Sequence, residues 1–270
     1  MKATVWGCRG SLATPGPATV RYGGNTNCLE VRTASNAVIV LDAGTGIREL
    51  GAKLVREGVK EVYLLLTHIH LDHVEGLGFF GPLFDSECMV HFFGPRPDEH
   101  SLRDRIADYV SPPLFPVPFE LVPGRPTFTE IWEDEWDIAG VRITSANVQH
   151  PGRTVGYRLE EGGRSLVFIP DNEPGLDPKS GATIAEGADV LFHDAQYTPE
   201  EYASRVGWGH SSLAHFAEIV KAASPRRAMM FHHDPSHSDD QLEEMLATAR
   251  DLTGRPDIEL TYEGLELDLS

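Results

Sequence analysis

The chain is poor in cysteine. It has three in 270 residues (Cys8, Cys28 and Cys88), and none sits in a CxxC pair. That excludes a disulfide framework and makes a reducing cytoplasm the expected compartment. Long apolar runs are missing too. Nothing approaches the roughly 18 to 20 consecutive apolar residues of a membrane span, and the opening "MKATVWGCRGS" lacks the apolar stretch of a secretory signal. Basic residues are scarce, 23 Lys and Arg against 41 Asp and Glu, for a net charge of −18. Such a surface has few cations to replace the counterions that a nucleic acid polymer releases, so extended DNA or RNA is not an expected partner. A small phosphorylated substrate, held by metals or by a few local Arg and His residues, is compatible with it.

What is present is a set of short strand-like segments rich in Val, Ile, Leu and Phe. "KATVWG", "CLEVRT", "AVIVLDAG", "EVYLLLTH", "MVHFFG", "VRITSANV", "TVGYRLE", "SLVFIPD", "DVLFHDA", "RAMMFHH" and "IELTYEG" are each bounded by Gly, Pro, Asn or Asp. Helical periodicity falls between some of them. "SSLAHFAEIVKAA" puts Leu213, Phe216, Ala217 and Val220 on one face, and "SDDQLEEMLATARDL" does so with Leu242, Met245, Leu246, Ala249 and Leu252. With no repeat or linker to divide the chain, this reads as one layered α/β sandwich with helices outside. Tyr109 to Pro126 fits no regular element, because it carries six prolines. It is expected to be a stiff loop that connects strands, covers a site as a lid, or joins two copies in a homodimer.

The run "LLLTHIHLDHVEGLGFF", residues 64 to 80, follows an apolar strand with four ionisable side chains in six positions. An extended backbone points His68 and His70 the same way. Asp72 and His73 follow where the strand gives way to a turn. Burying four such groups without a cation would leave too many polar atoms unsatisfied. Imidazole and carboxylate suit zinc, manganese or iron, and the lack of cysteine in the cluster argues against a purely structural zinc. Further polar residues stand at the ends of apolar strands: His150, Asp171, His232 and His233.

HxHxDH followed by a later His, Asp and His resembles the metallo-β-lactamase-fold hydrolases, over almost the whole chain. "VLDAGTG" resembles their early Asp-x-Gly element, with Asp42 as the aspartate that buttresses the metal loop. "FIPDNEP" resembles the strand whose aspartate bridges two metals. "LFHDAQY" and "GWGHSS" are similar to the His-Glu-Ala-Thr and Gly-His-Ser elements of the ribonuclease Z branch. The opening to "NTNCLEV" is similar to that of bacterial phosphoribosyl or nucleotide cyclic phosphodiesterases. The resemblance implies a four-layer αββα sandwich, a single domain over residues 1–270.

It also implies two divalent metal ions, zinc first, with manganese or iron as alternatives. His68, His70 and His150 would hold one ion. Asp72, His73 and His232 would hold the other, with Asp171 between them. His232 is preferred to His233 because "HHDP" matches the His-x-x-Pro spacing of the branch, and His233 is assigned to substrate binding. The metals would activate a bridging hydroxide to attack phosphorus, with Asp72 orienting it. His210, oriented by Asp194, would protonate the leaving group, although Asp194 is one methylene shorter than the glutamate of the branch. Asn25 and Thr26 either line the substrate pocket or make a tight turn. The implied activity is hydrolysis of a small phosphodiester, a cyclic nucleotide or ribose cyclic phosphate. A ribonuclease Z-type endonuclease and a non-phosphate ester or lactone hydrolase are the alternatives.

Overall fold

The computed structural model describes residues 1–175 and 180–269. The strands in chain order are β1 (Lys2–Gly7), β2 (Cys28–Arg32), β3 (Val38–Leu41), β4 (Glu61–Leu65), β5 (Met89–Gly94), β6 (Arg125–Glu130), β7 (Glu135–Ile138), β8 (Val141–Asn147), β9 (Val155–Glu161), β10 (Arg164–Ile169), β11 (Val190–Asp194), β12 (Arg227–Phe231), β13 (Glu259–Leu260) and β14 (Glu266–Asp268). They form two seven-stranded sheets, β14-β1-β2-β3-β4-β5-β6 and β13-β12-β11-β10-β9-β8-β7. Each sheet is half antiparallel and half parallel. In the first, β3, β4, β5 and β6 run parallel; in the second, β10, β11, β12 and β13 do.

The central strands are buried on both faces, which is why "VIVL" in β3 and "VLF" at the start of β11 are apolar runs without alternation. One face of each sheet packs on the other. Val31, Ile39 and Leu41 from the first sheet share a core with Tyr157, Phe168, Phe192 and Phe231 from the second. The outer faces carry helices. On the first sheet these include α1 (Ile47–Glu57), the short α2 (Leu71–Val74) and α3 (Leu102–Tyr109), with Leu50, Leu54 and Ile106 pointing inward. The second carries α4 (Ala182–Ala185), α5 (Pro199–Tyr202), α6 (Leu213–Ala223) and α7 (Asp239–Thr253). Phe216, Val220, Leu242 and Met245 join α6 and α7 to its outer core. The result is the expected αββα sandwich. No helix among the described residues is long and apolar enough to cross a membrane.

Two expectations change. The proline-rich segment is not one loop: Tyr109 closes α3, Phe119–Leu121 make a 3-10 turn, and Arg125 and Pro126 open β6. A proline is tolerated there because β6 is an edge strand, with one side free of ladder partners. Strands β6, β7 and β14 ("RPTFTE", "EWDI" and "ELD") were not anticipated, because charged residues on sheet edges blur the apolar signal.

Two hydrogen bonds tie the sheets together beside the end of β4. Buried Tyr157 Oη donates to the Leu66 carbonyl at 2.6 Å, and Val155 N donates to the Thr67 carbonyl at 3.0 Å. Tyr157→Phe leaves that buried carbonyl short of a donor and should cost about 1–3 kcal/mol of stability in chemical denaturation.

Candidate metal centre

Five strands end at the same place on the seam between the sheets. Beyond β4 the chain bends at Thr67 and runs to His70, which takes the position before α2 with φ −62° and ψ 156°. The first turn of α2 then carries Asp72 and His73. From the second sheet come His150, three residues past β8; Asp171, two past β10; Asp194, the last residue of β11; and His232, directly after β12. His210 lies in the segment before α6.

The side chains converge. His70 Nδ1 and His150 Nε2 face each other at 3.0 Å. His73 Nε2 lies 3.2 Å from Asp72 Oδ2 and 3.1 Å from Asp171 Oδ1, while His232 Nε2 lies 3.1 and 3.3 Å from the same two atoms. The other oxygen of Asp171 is turned the opposite way, 3.7 Å from His68 Nε2, His150 Nε2 and His210 Nδ1 alike. One carboxylate therefore spans a group made of His68, His70 and His150 and a group made of Asp72, His73 and His232. The ligand-capable atoms within each triad lie within 4.8 Å of one another. Nε2 of His68 is buried with no hydrogen-bond partner. Such an orphan lone pair, in a set of imidazoles and carboxylates, fits a divalent cation.

Three of the imidazoles are aimed by a partner on the other nitrogen. His73 Nδ1 donates to Asp42 at 2.7 Å, and Asp42 is itself gripped by the amide of Thr67 at 2.8 Å and by the Thr67 hydroxyl. His150 Nδ1 donates to the Gly209 carbonyl at 2.8 Å, and His232 Nδ1 to Gln196 Oε1 at 2.9 Å. Asp72 Oδ2 accepts from Ser11 N at 2.8 Å and Asn27 Nδ2 at 3.0 Å. The Ser11 contact depends on Gly10, where an added Cβ would lie 2.1 Å from the His232 ring. Asp42 and His232 both adopt left-handed backbone, with φ of 59° and 60°. That conformation costs on the order of 1 kcal/mol or more for a side chain of this kind and persists where surrounding contacts impose it.

The charges sort themselves by neighbour. Burial pushes His150 down to about 4, against the pull of Asp171. Burial likewise holds His68 and His70 below the ordinary imidazole range, so these three are neutral and present lone pairs at pH 7. Burial also disfavours charge on His232 and His73, but there the carboxylates win. Asp171 and Asp72 raise His232 to about 9, and Asp171, Asp72 and Asp42 hold His73 well above its usual value. Asp72 and Asp171 are correspondingly held well below the carboxylate range by these cations, despite burial. In the metal-free protein the charges of His73 and His232 are thus set against the carboxylates of Asp42, Asp72 and Asp171.

Asp194 Oδ2 reaches His210 Nδ1 at 3.1 Å, so the shorter side chain still makes the pairing. Three other assignments do not come to the cluster. Thr26 is fully buried, its hydroxyl taken up by Glu75 at 2.8 Å and by the amide of Thr45. Asn25 is turned to Glu263, through its amide at 2.6 Å and its side chain at 3.0 Å. His233 is buried on the far side of its strand end, with Nε2 on the Thr261 carbonyl at 2.9 Å, and burial pushes it down to about 3. Their side chains are engaged by Glu263, Glu75, Thr45 and Thr261 rather than turned to the metal cluster. Sequence reasoning missed Gln196, Asn27 and the amide of Ser11. Gln196 stood in the quoted "HDAQY", but nothing in that string names a partner 36 residues away.

Two outcomes follow from this geometry. Asp42→Asn keeps the left-handed backbone that Asn tolerates but removes the anion behind His73. Divalent-metal affinity should fall about 10- to 100-fold in a competition titration, with the protein still folded. Metal binding needs neutral imidazole, and His232 stays protonated until about pH 9. Its ion pairs stabilise the metal-free protein below the free-imidazole value near 6.5, and this contribution is lost as pH rises through about 9. Calorimetry in buffers of different ionisation enthalpy should therefore detect proton release on metal binding at pH 7, and less of it above pH 9.

The comparisons with known proteins agree with this architecture. Residues 38–233 match the family model of the beta-lactamase superfamily domain. A ribonuclease Z from Mycobacterium sp. (strain KMS) is 27% identical over 243 residues, which cover 82% of this chain and 81% of that one. Among solved structures, zinc-bound PqqB from Methylobacterium extorquens superposes with a TM-score of 0.74 at 17% identity over the whole of both chains. A diphosphatase of the PhnP family does so with a TM-score of 0.71 at 18% identity, over 100% of this chain and 98% of that one. The chain belongs to the beta-lactamase superfamily, as a metal-dependent hydrolase of the metallo-β-lactamase fold.

Proposed function

We propose that the chain is a dinuclear phosphodiesterase acting on a small phosphodiester, a cyclic nucleotide or a ribose cyclic phosphate. The observation that carries this reading is the Asp171 carboxylate, whose two oxygens face two separate triads of ligand atoms. His68, His70 and His150 would hold one cation and Asp72, His73 and His232 the other, with Asp171 shared. Zinc is the first choice, with manganese or iron suited to the same donors. Such a pair supplies Lewis acidity: it brings a water toward ionisation at neutral pH and offsets charge on the non-bridging phosphate oxygens.

The chain's own residues do the rest. Asp72, fixed by Ser11 N and Asn27, accepts hydrogen bonds where the attacking water must lie and orients it. Asp194 holds Nδ1 of His210, which leaves Nε2 as the nitrogen that can hand a proton to the departing oxygen. The His210 ring stacks on His232 at 4.7 Å between centroids and has 11% of its side chain exposed, a position from which it can meet substrate. Three buried free cysteines support a reducing compartment, the cytoplasm. Leu114 and Leu121, 71% and 69% exposed, support a contact between two copies of the chain.

A second reading, an RNA endonuclease, is favoured by the ribonuclease Z relatives. The net charge of −18 weighs against it, since a long polyanion would meet few cations outside the site. A panel of cyclic nucleotides, bis-p-nitrophenyl phosphate and a precursor tRNA, given to the metal-loaded protein, separates the two. Turnover of the small diesters is expected, with a loss of at least about a hundredfold in His210→Ala. Cleavage of the tRNA alone would select the endonuclease, and inactivity on every diester would overturn both.

A further inference from the structure

The "GWGHSS" stretch contributes His210 to the site, but its most exposed large side chain has no part in the chemistry above. Trp208 is 61% exposed, whereas Trp6, Trp132 and Trp136 are half-buried and packed. A solvent-facing indole on a loose loop would mean little. This one stands on a braced turn. Buried Glu173, two residues beyond Asp171, accepts from Gly207 N and Gly209 N at 2.7 Å each, one per carboxylate oxygen, and from Tyr202 Oη at 2.7 Å. Trp208 N donates to the Arg205 carbonyl at 3.1 Å.

The turn is also welded to the metal cluster. Gly209 has φ +95°, and a Cβ there would lie 2.1 Å from Nδ1 of His150, so only glycine lets the backbone come this close. Its carbonyl is the acceptor that aims His150, and the next residue is His210. Trp208 is therefore held one residue from a contact with a ligand imidazole and two from the proton donor. On the same turn, the Arg205 guanidinium lies 4.8 Å over the Tyr197 ring, which in turn meets His210 edge-on at 6.0 Å. Arg205 also lies within the electrostatic reach of Glu201 on α5, whose carboxyl it helps to hold below its usual value. An exposed aromatic plane and a guanidinium, both on the turn that delivers His210, match the base and the anionic backbone of a nucleotide better than an apolar partner.

We propose that Trp208 is a specificity-determining residue, whose indole stacks on the base of a nucleotide phosphodiester while the reacting phosphate lies at the metal cluster. The proposal rests on the phosphodiesterase reading and narrows its substrate from any small diester to a nucleotide. Because Glu173 fixes the turn before substrate arrives, little backbone order remains to be lost on binding, so the stacking energy appears as affinity.

The test compares binding of AMP and ribose 5-phosphate to the metal-loaded protein by calorimetry, alongside kcat/KM for adenosine 2′,3′-cyclic phosphate and glycerol 1,2-cyclic phosphate. The wild type should prefer the base-bearing member of each pair by at least about tenfold. Trp208→Ala should bring that preference close to one, mainly through KM, and Trp208→Phe should keep most of it. A wild type without preference overturns the proposal, as does a Trp208→Ala protein that retains it. So does a change in oligomeric state with the preference intact, which would make Trp208 a contact with a second copy. If no diester is turned over, the phosphodiesterase reading fails, and the AMP against ribose 5-phosphate comparison still decides whether Trp208 reads a base.

Discussion

Asp171 is the interaction on which the rest depends. It arrives from the second sheet, yet one of its oxygens lies 3.1 Å from His73 of the first. The cluster straddles the seam: His68, His70, Asp72 and His73 follow β4, while His150, Asp171, Asp194 and His232 follow strands of the other sheet. Neither sheet holds a complete triad plus bridge alone. The Leu- and Val-rich core between the sheets sets their separation, and the Tyr157 and Val155 hydrogen bonds fix their relative position next to the site. Packing thus positions charge, and the charge repays burial only when all its members meet.

The first half of the site was legible because its signal is local. Four ionisable residues in "HIHLDH" follow a buried strand, and the one-residue alternation of His68 and His70 continues into a turn. The partners in the second half lie far along the chain. They were placed by their positions at strand ends and by resemblance, not by any local pattern. His232 and His233 show the limit. Both follow the same strand, and the left-handed φ of His232 sends one ring to Asp72 and the other to Thr261. A backbone dihedral imposed by tertiary contacts leaves no mark in "FHHDP". Asn25 and Thr26 lie away from the cluster for a related reason: glycines permit close approach, and here what approaches is protein, Glu263, Glu75 and Thr45.

The outer partners form a graded set. His73 is backed by a carboxylate, His150 by a backbone carbonyl and His232 by a neutral amide. Anionic backing raises the basicity of a ligand most, and a neutral amide mainly orients it. The two triads are therefore built differently: one is neutral and open, with His70 exposed, and the other carries carboxylates and a buttressing anion. That asymmetry is suited to two cations held with unequal strength around one shared oxygen pair.

The central claim is that Asp171 is shared by two metal ions. Crystals of the metal-loaded protein, measured on both sides of the absorption edge of the metal, test it directly. The account predicts two anomalous peaks about 3.5–4 Å apart, one among His68, His70 and His150, the other among Asp72, His73 and His232, with an oxygen of Asp171 at each. A single peak at full metal loading, or two peaks that leave Asp171 uncoordinated, would contradict it.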